Sequence, residues 1–265
     1  MRLNFENDKE NNIFYNVVTV GDIHGEFEKL VNCINSQYKF KDTIIIVCGD
    51  CGFGFYKPNY YKLLIARLNR KLEENNNHII FLRGNHDDPQ YFDDKTVLYT
   101  NIKAVSDYSV ITTWDHTCLL VGGAISVDRK DRIKAMETEG YYSKKDFEER
   151  SLYWENENFV FDQEKLDTIH KEYSKQITHV FTHSNPNFCY PFSHNGLREF
   201  IEKDELLLQD VMKERGDISN LFYNLVENKQ PIRSWYNGHY HASYTEFIED
   251  CRFTVLDIMK FEEVY

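Results

Sequence analysis

The sequence predicts an α/β fold in which a parallel sheet from the first half packs against a mixed or antiparallel sheet from the second. Three observations carry this. Apolar strand signals alternate with helical periodicity from Phe14 to Leu82, the pattern of right-handed crossover units. Short strand-like runs then follow one another between Val97 and Val121 and return between Trp235 and Ile258. The 265 residues are 42% hydrophobic and 28% charged, enough to bury a substantial core and far from a disordered or fibrous composition.

Phe14–Val20 (FYNVVTV) reads as a strand closed by Gly21. From Glu26 to Gln37, Phe27, Leu30, Val31 and Ile34 recur at helical spacing. Thr43–Cys48 (TIIIVC) is continuously apolar, as a strand covered on both faces requires. Tyr60–Glu74 is a helix in which Leu63, Leu64, Leu68 and Leu72 interleave with Arg67 and Lys71, and His78–Leu82 is the third strand. Val97–Tyr99, Ser109–Trp114 and Thr117–Val121 are short strands, the last followed by Gly122 and Gly123. A polar helical region (Arg129–Arg150) and a helix (Gln163–Lys175) precede the strand Ile177–Thr182. Residues 184–233 form a mostly helical insertion, and Trp235–Tyr236, Tyr244–Ile248 and Phe253–Ile258 complete the strands. One domain spanning residues 1–265 is expected.

The balance of 43 acidic against 31 basic residues, a net charge of −12, disfavours a grip on long nucleic acid but leaves small phosphate compounds open. No apolar run approaches the roughly 20 residues of a spanning helix, so no membrane partner is expected. Met1–Asn12 is polar and acidic, unlike a signal peptide. The six scattered cysteines then read as reduced thiols of a cytoplasmic protein, and Cys48-x-x-Cys51 has no second pair to make a zinc ribbon.

Each strand of the first half runs straight into polar residues of one kind. The first leads to Gly21-Asp22-Ile23-His24-Gly25, the second to Gly49-Asp50, and the third to Arg83-Gly84-Asn85-His86-Asp87. Later strands lead to Thr182-His183 and to Gly238-His239-Tyr240-His241. Ligands bind at the carboxyl ends of such strands, so Asp22, Asp50, Asn85 and five of the chain's ten histidines are expected at one edge. Oxygen and imidazole donors suit Mn²⁺, Fe or Zn²⁺ better than thiolate-seeking ions. Alternate residues of an extended segment share a side, so Asp22 and His24 converge, as do His239 and His241. Asp50, with one oxygen for each of two ions, is the natural bridge.

These motifs, running from Gly21 to His241, resemble the calcineurin-like metallophosphoesterase superfamily, and the stretch Gly122-Gly123-Ala124-x-Ser126-x-Asp128-x-x-x-Arg132 resembles its uncharacterised bacterial and phage-type members. The resemblance implies a sandwich of two mixed β-sheets flanked by helices, the four-layer arrangement of that family. It implies two divalent ions, Mn²⁺ first with Fe or Zn²⁺ as alternatives. Asp22, His24, Asp50 and His241 would hold one, and Asp50, Asn85, His183 and His239 the other. His86 matches the histidine that contacts the scissile phosphate and assists the leaving oxygen. Arg83 matches the phosphate-gripping arginine of phosphoprotein phosphatases, with Asn85 also beside the substrate. The sequence departs from that branch where Phe53 and Gly54 replace an Asp and an Arg, and where Thr182 precedes His183.

The implied function is hydrolysis of a phosphate ester, with a phosphomonoesterase, including a protein phosphatase, placed ahead of a phosphodiesterase or a nucleotide or dinucleoside polyphosphate hydrolase. A non-catalytic interaction module on the same fold is the rival from another class. The substrate would be a phosphorylated small molecule, a nucleotide or a phosphoprotein. Arg132 is a second candidate clamp, set against an exposed charged helix start. Asp87 and Asp88 are expected to cap a turn or support His86. Phe188, Tyr190, Phe192 and the helix around Leu206–Met212 would rim the pocket, either stacking on a base or packing a lid.

Overall fold

The runs NVVTV, TIIIVC and HIIFL are rich in β-branched residues that fit a pleated sheet, and in the computed structural model they pair in parallel. The structure describes residues 1–5, 15–138 and 152–265. Strands are numbered along the chain. β2 (Asn16–Val20), β3 (Thr43–Cys48), β4 (His78–Leu82) and β5 (Ile102–Ala104) form a parallel set with Val18 opposite Ile45, Ile45 opposite Ile79 and Ile79 opposite Ile102. β12 (Phe261–Glu263) adds an antiparallel edge to β2.

The second sheet has seven strands among the described residues. In spatial order they are β1 (Arg2–Asn4), β6 (Ser109–Thr112), β7 (Thr117–Val121), β8 (His179–Thr182), β9 (Ser234–Asn237), β11 (Cys251–Val255) and β10 (Tyr244–Ile248). β7, β8, β9 and β11 run parallel, β6 pairs antiparallel with β7 and parallel with β1, and β10 pairs antiparallel with β11. Both sheets are therefore mixed.

The period of two along a strand sorts the core into layers. Ile44, Ile46, Ile80 and Leu82 meet Ile111, Leu120, Phe181 and Tyr236 between the sheets. Ile45, Val47, Ile79 and Phe81 face outward onto Phe27 and Leu30 of α1 (Phe27–Asn32) and Leu64 and Leu68 of α2 (Pro58–Glu73). α2 begins on Pro58, whose missing N–H costs nothing in the first turn. On the far side, Val180, Trp235 and Phe253 pack on Leu166 and Ile169 of a helix at Gln163–Glu172 and on Ile218, Leu221 and Leu225 of a helix at Leu207–Glu227. The result is helix, sheet, sheet, helix, as the resemblance implies.

Several boundaries differ from the sequence reading. Val97–Tyr99 is not a strand; Leu98 makes one bridge to Lys103, and the strand is Ile102–Ala104. Asn101 fixes that register, its N–H donating to Asn69 Oδ1 and its Nδ2 to the Asn77 carbonyl. α1 passes into a π-helical turn over Cys33–Gln37. Of the region Arg129–Arg150, α3 covers Arg129–Glu137, and residues 139–151 lie outside the described residues, as does Phe14. The later helices are α4 (Gln163–Glu172), α5 (Arg198–Ile201) and α6 (Leu207–Glu227), the last two within the expected insertion. All five buried cysteines and the half-buried Cys33 are free thiols. No helix among the described residues is long and apolar enough to cross a membrane.

Candidate metal centre

The loops after β2, β3, β4, β8 and β9 bring the predicted polar residues to one edge of the two sheets. Asp22 is fully buried and accepts hydrogen bonds from the His239 N–H at 3.0 and 3.2 Å. His241 Nε2 lies 3.0 Å from Asp22 Oδ2 and 3.1 Å from His24 Nε2. One ligand atom each from Asp22, His24, Asp50 and His241 falls within 4.8 Å of the others. Beside this group, His183 Nε2 is 3.0 Å from both Asp50 Oδ1 and Asn85 Oδ1. His183 Nδ1 donates to the Cys48 carbonyl at 2.6 Å, which leaves Nε2 as the atom facing the carboxylate and the amide. The His183 and His239 rings are 5.0 Å apart.

This donor set fits divalent ions on three grounds. It is made of carboxylate, amide and imidazole donors with no thiolate. The carboxylates are packed against glycine backbone that leaves no room for a side chain: a Cβ on Gly84 would sit 2.2 Å from Asp50 Oδ1, and one on Gly238 would sit 2.0 Å from Asp22 Oδ1. Finally, His24, Asp50, His239 and His241 have φ values of 43°, 46°, 69° and 45°. Left-handed backbone at four such residues is strain that clusters where a site over-determines the geometry.

Burial would raise the Asp50 carboxyl, but His183, His86 and His239 outweigh it and hold it well below the ordinary range. Burial likewise works to lower His183, yet the adjacent Asp50 raises it. A cation on His183 is thus the stand-in for positive charge that this pocket of carboxylates demands, and binding an ion there displaces that proton. Burial lowers His239 to about 3, whereas the bond to Asp22 raises His241. His86 is lowered to about 4, chiefly by burial, with the Arg132 charge adding to it.

His86 stands at the rim of the cluster. Its N–H donates to Asp50 Oδ1 at 2.8 Å, and its ring lies 5.2 Å from that of His24. Arg132 Nη2 donates to His86 Nε2 at 2.5 Å, and Arg132 Nε pairs with Asp128 Oδ1 at 2.7 Å. The first turns of α3 therefore deliver an arginine to the site; the exposed helix-start reading of Arg132 does not hold.

Arg83 is placed elsewhere, which corrects the expectation of a phosphate grip there. Its Nε and Nη2 donate to Asp107 Oδ2 at 3.0 and 2.8 Å. Nη1 donates to the Asn156 and Glu157 carbonyls at 3.3 and 2.6 Å, and Nη2 to that of Asn158 at 2.9 Å. The guanidinium is spent on joining the loop before β6 to residues 156–158.

Asp87 proves to be a loop clamp. Its carboxylate accepts from the N–H groups of Cys51, Gly52, Phe53 and Gly84, at 2.8 to 3.0 Å, locking the loops after β3 and β4 together. Phe53, standing where the related branch has an aspartate, is fully buried among Phe27, Tyr61 and Phe81. Thr182, the other departure, is buried and accepts from Trp235 Nε1 at 2.8 Å. Sequence reasoning missed Glu157. Asn85 Nδ2 donates to Ser126 Oγ at 3.1 Å, and Ser126 donates through Oγ and N to Glu157 at 2.8 and 2.6 Å. This relay turns Asn85 Oδ1 toward His183. Burial raises the Glu157 carboxyl to about 8.

The sequence profile of the calcineurin-like phosphoesterases matches residues 15–211. The chain belongs to that family. Membership makes it a metal-dependent phosphoester hydrolase by class, and the Asp/His cluster is the candidate site for divalent ions. No curated protein sequence matches the chain. Its fold is similar to that of a dimetal phosphatase from Danio rerio, with a TM-score of 0.51, 10% identity, and 94% of this chain and 88% of that one covered. It is also similar to a putative 5'-nucleotidase from Staphylococcus aureus (TM-score 0.46, 13% identity, 93% of this chain covered), of which it spans about half, 49% of the length. A third similar structure is a phosphopantetheinyl hydrolase from Mycobacterium tuberculosis, with a TM-score of 0.45, 13% identity and coverage of 95% and 96%.

Proposed function

We propose that the chain hydrolyses phosphate monoesters of small molecules in the cytoplasm, using two divalent ions, with Mn²⁺ the preferred metal. Asp22, His24, Asp50 and His241 hold one ion; Asp50, Asn85, His183 and His239 hold the other. When bound, such a pair supplies an acidified water for attack and positive charge to offset the phosphoryl oxygens. The observation that carries the monoester reading is the Arg132–His86 contact of 2.5 Å at the rim of the cluster. A guanidinium there offers a two-pronged donor to a phosphate dianion, which carries one more charge than a diester. His86, whose Nε2 meets Arg132 and lies 3.8 Å from Asp50 Oδ2, orients the ester and assists the leaving oxygen. Six unpaired cysteines support a reducing compartment.

Hydrolysis of a phosphate monoester and of its methyl diester, each with added Mn²⁺, tests this; faster diester cleavage would reverse the assignment. His86→Ala is expected to lower kcat by about 10²–10⁴ while Mn²⁺ binding, followed by calorimetry, stays as in the native protein. Loss of metal in that variant would instead make His86 a ligand. Ser126→Ala removes the donor–acceptor link between Asn85 and Glu157. It is expected to weaken one of two Mn²⁺ binding steps by about 10–100-fold, the usual cost of losing a partner that orients a ligand. Equal weakening of both steps would argue for a general loss of structure.

A further inference from the structure

The helix that brings Arg132 to the rim of the metal centre has little of its own to hold it there. α3 is nine residues long, short of the roughly 12–15 that an isolated helix needs in water. Short helices usually stay docked through an apolar face. None of the α3 side chains is buried, and Ile133, Ala135 and Met136 are only half-covered. The bond from Arg132 to His86 does not supply the hold either. A guanidinium that grips a phosphate turns its donors to the phosphate oxygens, so that bond is given up when substrate binds.

Charge supplies the hold instead. Arg129, one turn before Arg132, reaches from α3 to the helical insertion. Its Nε donates to Asp204 Oδ2 at 2.5 Å and its Nη2 to Asp210 Oδ2 at 2.7 Å. Asp204 lies between α5 and α6 and its side chain is 5% exposed, against 15% for that of Arg129, so this pair is shielded from water. Asp204 is itself fixed, its N–H donating to the Phe200 carbonyl at 3.0 Å and its Oδ1 accepting from the Leu206 N–H at 3.2 Å. Asp131 and Lys203 join the same two segments at 2.7 Å, but both side chains are about half exposed, and such pairs contribute little. The docking of α3 therefore depends chiefly on Arg129 and Asp204, with Asp210 as an outer anchor.

We propose that Arg129 and Asp204 are positioning residues of the phosphate site: their ion pair latches α3 to the insertion and so sets where Arg132 stands. The task given to Arg132 rests on the phosphoesterase reading. The latch is tested with and without catalysis.

Hydrogen exchange of the α3 amides is compared in the native protein and in Arg129→Met, both loaded with Mn²⁺. Exchange about tenfold faster in the variant, with the amides of β8 and β9 unchanged, is the expected result. Turnover of a phosphate monoester and calorimetric binding of inorganic phosphate are measured on the same samples. Both should fall about tenfold in kcat/KM and in affinity, as when only about one molecule in ten keeps the helix docked. Arg129→Lys should recover part of the loss, since it keeps the charge but not the fork that spans two carboxylates. The deciding measurement is a double-mutant cycle. In an Arg132→Ala background, Arg129→Met should cost nothing further in either phosphate measurement, because it acts only through Arg132. Asp210→Asn, which removes the outer anchor alone, should shift all three readouts the same way by a smaller factor, and it decides the matter if Arg129→Met does not fold. Lys165→Met, which breaks an exposed pair on α4, is the control for a lost surface charge. Unchanged exchange in α3, or a loss that adds in full to that of Arg132→Ala, overturns the proposal. If the native chain hydrolyses no ester in Mn²⁺, the phosphoesterase reading fails, and exchange with phosphate binding still decides the latch. A native chain that binds no phosphate overturns the positioning role as well.

Discussion

Asp50→Asn is expected to abolish hydrolysis, with a loss of at least about 10³-fold in kcat/KM, and to remove both metal-binding steps. The size of the effect follows from how much converges on one carboxylate. Asp50 Oδ1 accepts the His86 N–H at 2.8 Å and lies 3.0 Å from His183 Nε2, while Asp50 also belongs to the group with Asp22, His24 and His241. It is the residue shared by the two clusters, and the three histidines around it hold it ionised against burial. An amide keeps the shape and one acceptor oxygen but loses the charge that makes two neighbouring cations tolerable. Equilibrium Mn²⁺ binding and monoester turnover, measured on the same preparation, check this. Asp50→Asn protein that binds two ions as tightly as the native chain would remove Asp50 from its bridging place. Circular dichroism guards against the trivial result of an unfolded variant, since the carboxylate also fixes the loop of Asn85 and His86.

The convergence of Asp22, His24, Asp50, Asn85, His183, His239 and His241 on one edge was legible because these residues are written next to strand ends. Glycine precedes Asp22, Asp50, Asn85 and His239 directly, and at Gly84 and Gly238 the space a Cβ would take is already filled by Asp50 and Asp22. Sequence therefore marked both the polar residue and the crowding around it. The two-sheet architecture was legible too, since TIIIVC and HIIFL cannot be satisfied by one covered face. What escaped was whatever depends on a distant partner. β1, β5 and β12 are three-residue strands whose only definition is the neighbour they pair with. Glu157 carries no motif, and its meaning comes from Ser126, 31 positions earlier in the chain. Arg83 was misplaced for the same reason. Its adjacency to Asn85 and His86 in sequence fixed where its backbone lies, but its side chain is claimed by Asp107, 24 positions on, and by the Glu157 carbonyl, 74 positions on.

The different placement of the two arginines gives the second large expectation. Arg132→Ala should lower kcat/KM for a phosphate monoester by about 10²–10³, the usual cost of removing one preorganised donor to developing charge, with little change in thermal midpoint. Arg132 sits on α3, bonded to His86 and Asp128 and to the Leu152 carbonyl at 3.3 Å, so its loss disturbs the site more than the core. Arg132→Lys should recover only part of the rate, because an ammonium cannot reproduce the planar fork. Arg83→Met should act on stability first. Removing that guanidinium strands Asp107 and the carbonyls of residues 156–158 in a largely buried joint, a loss on the order of 3 kcal/mol, visible as a lowered denaturant midpoint at unchanged slope. The measurement that separates them is a paired one, kcat/KM per folded molecule against unfolding midpoint for each variant. Their positions in that plane should fall on different axes. If Arg83→Met kept its midpoint but lost turnover while Arg132→Ala turned over at the native rate, the phosphate clamp would return to Arg83, and the contact between Arg132 and His86 would be reduced to a feature of the substrate-free site.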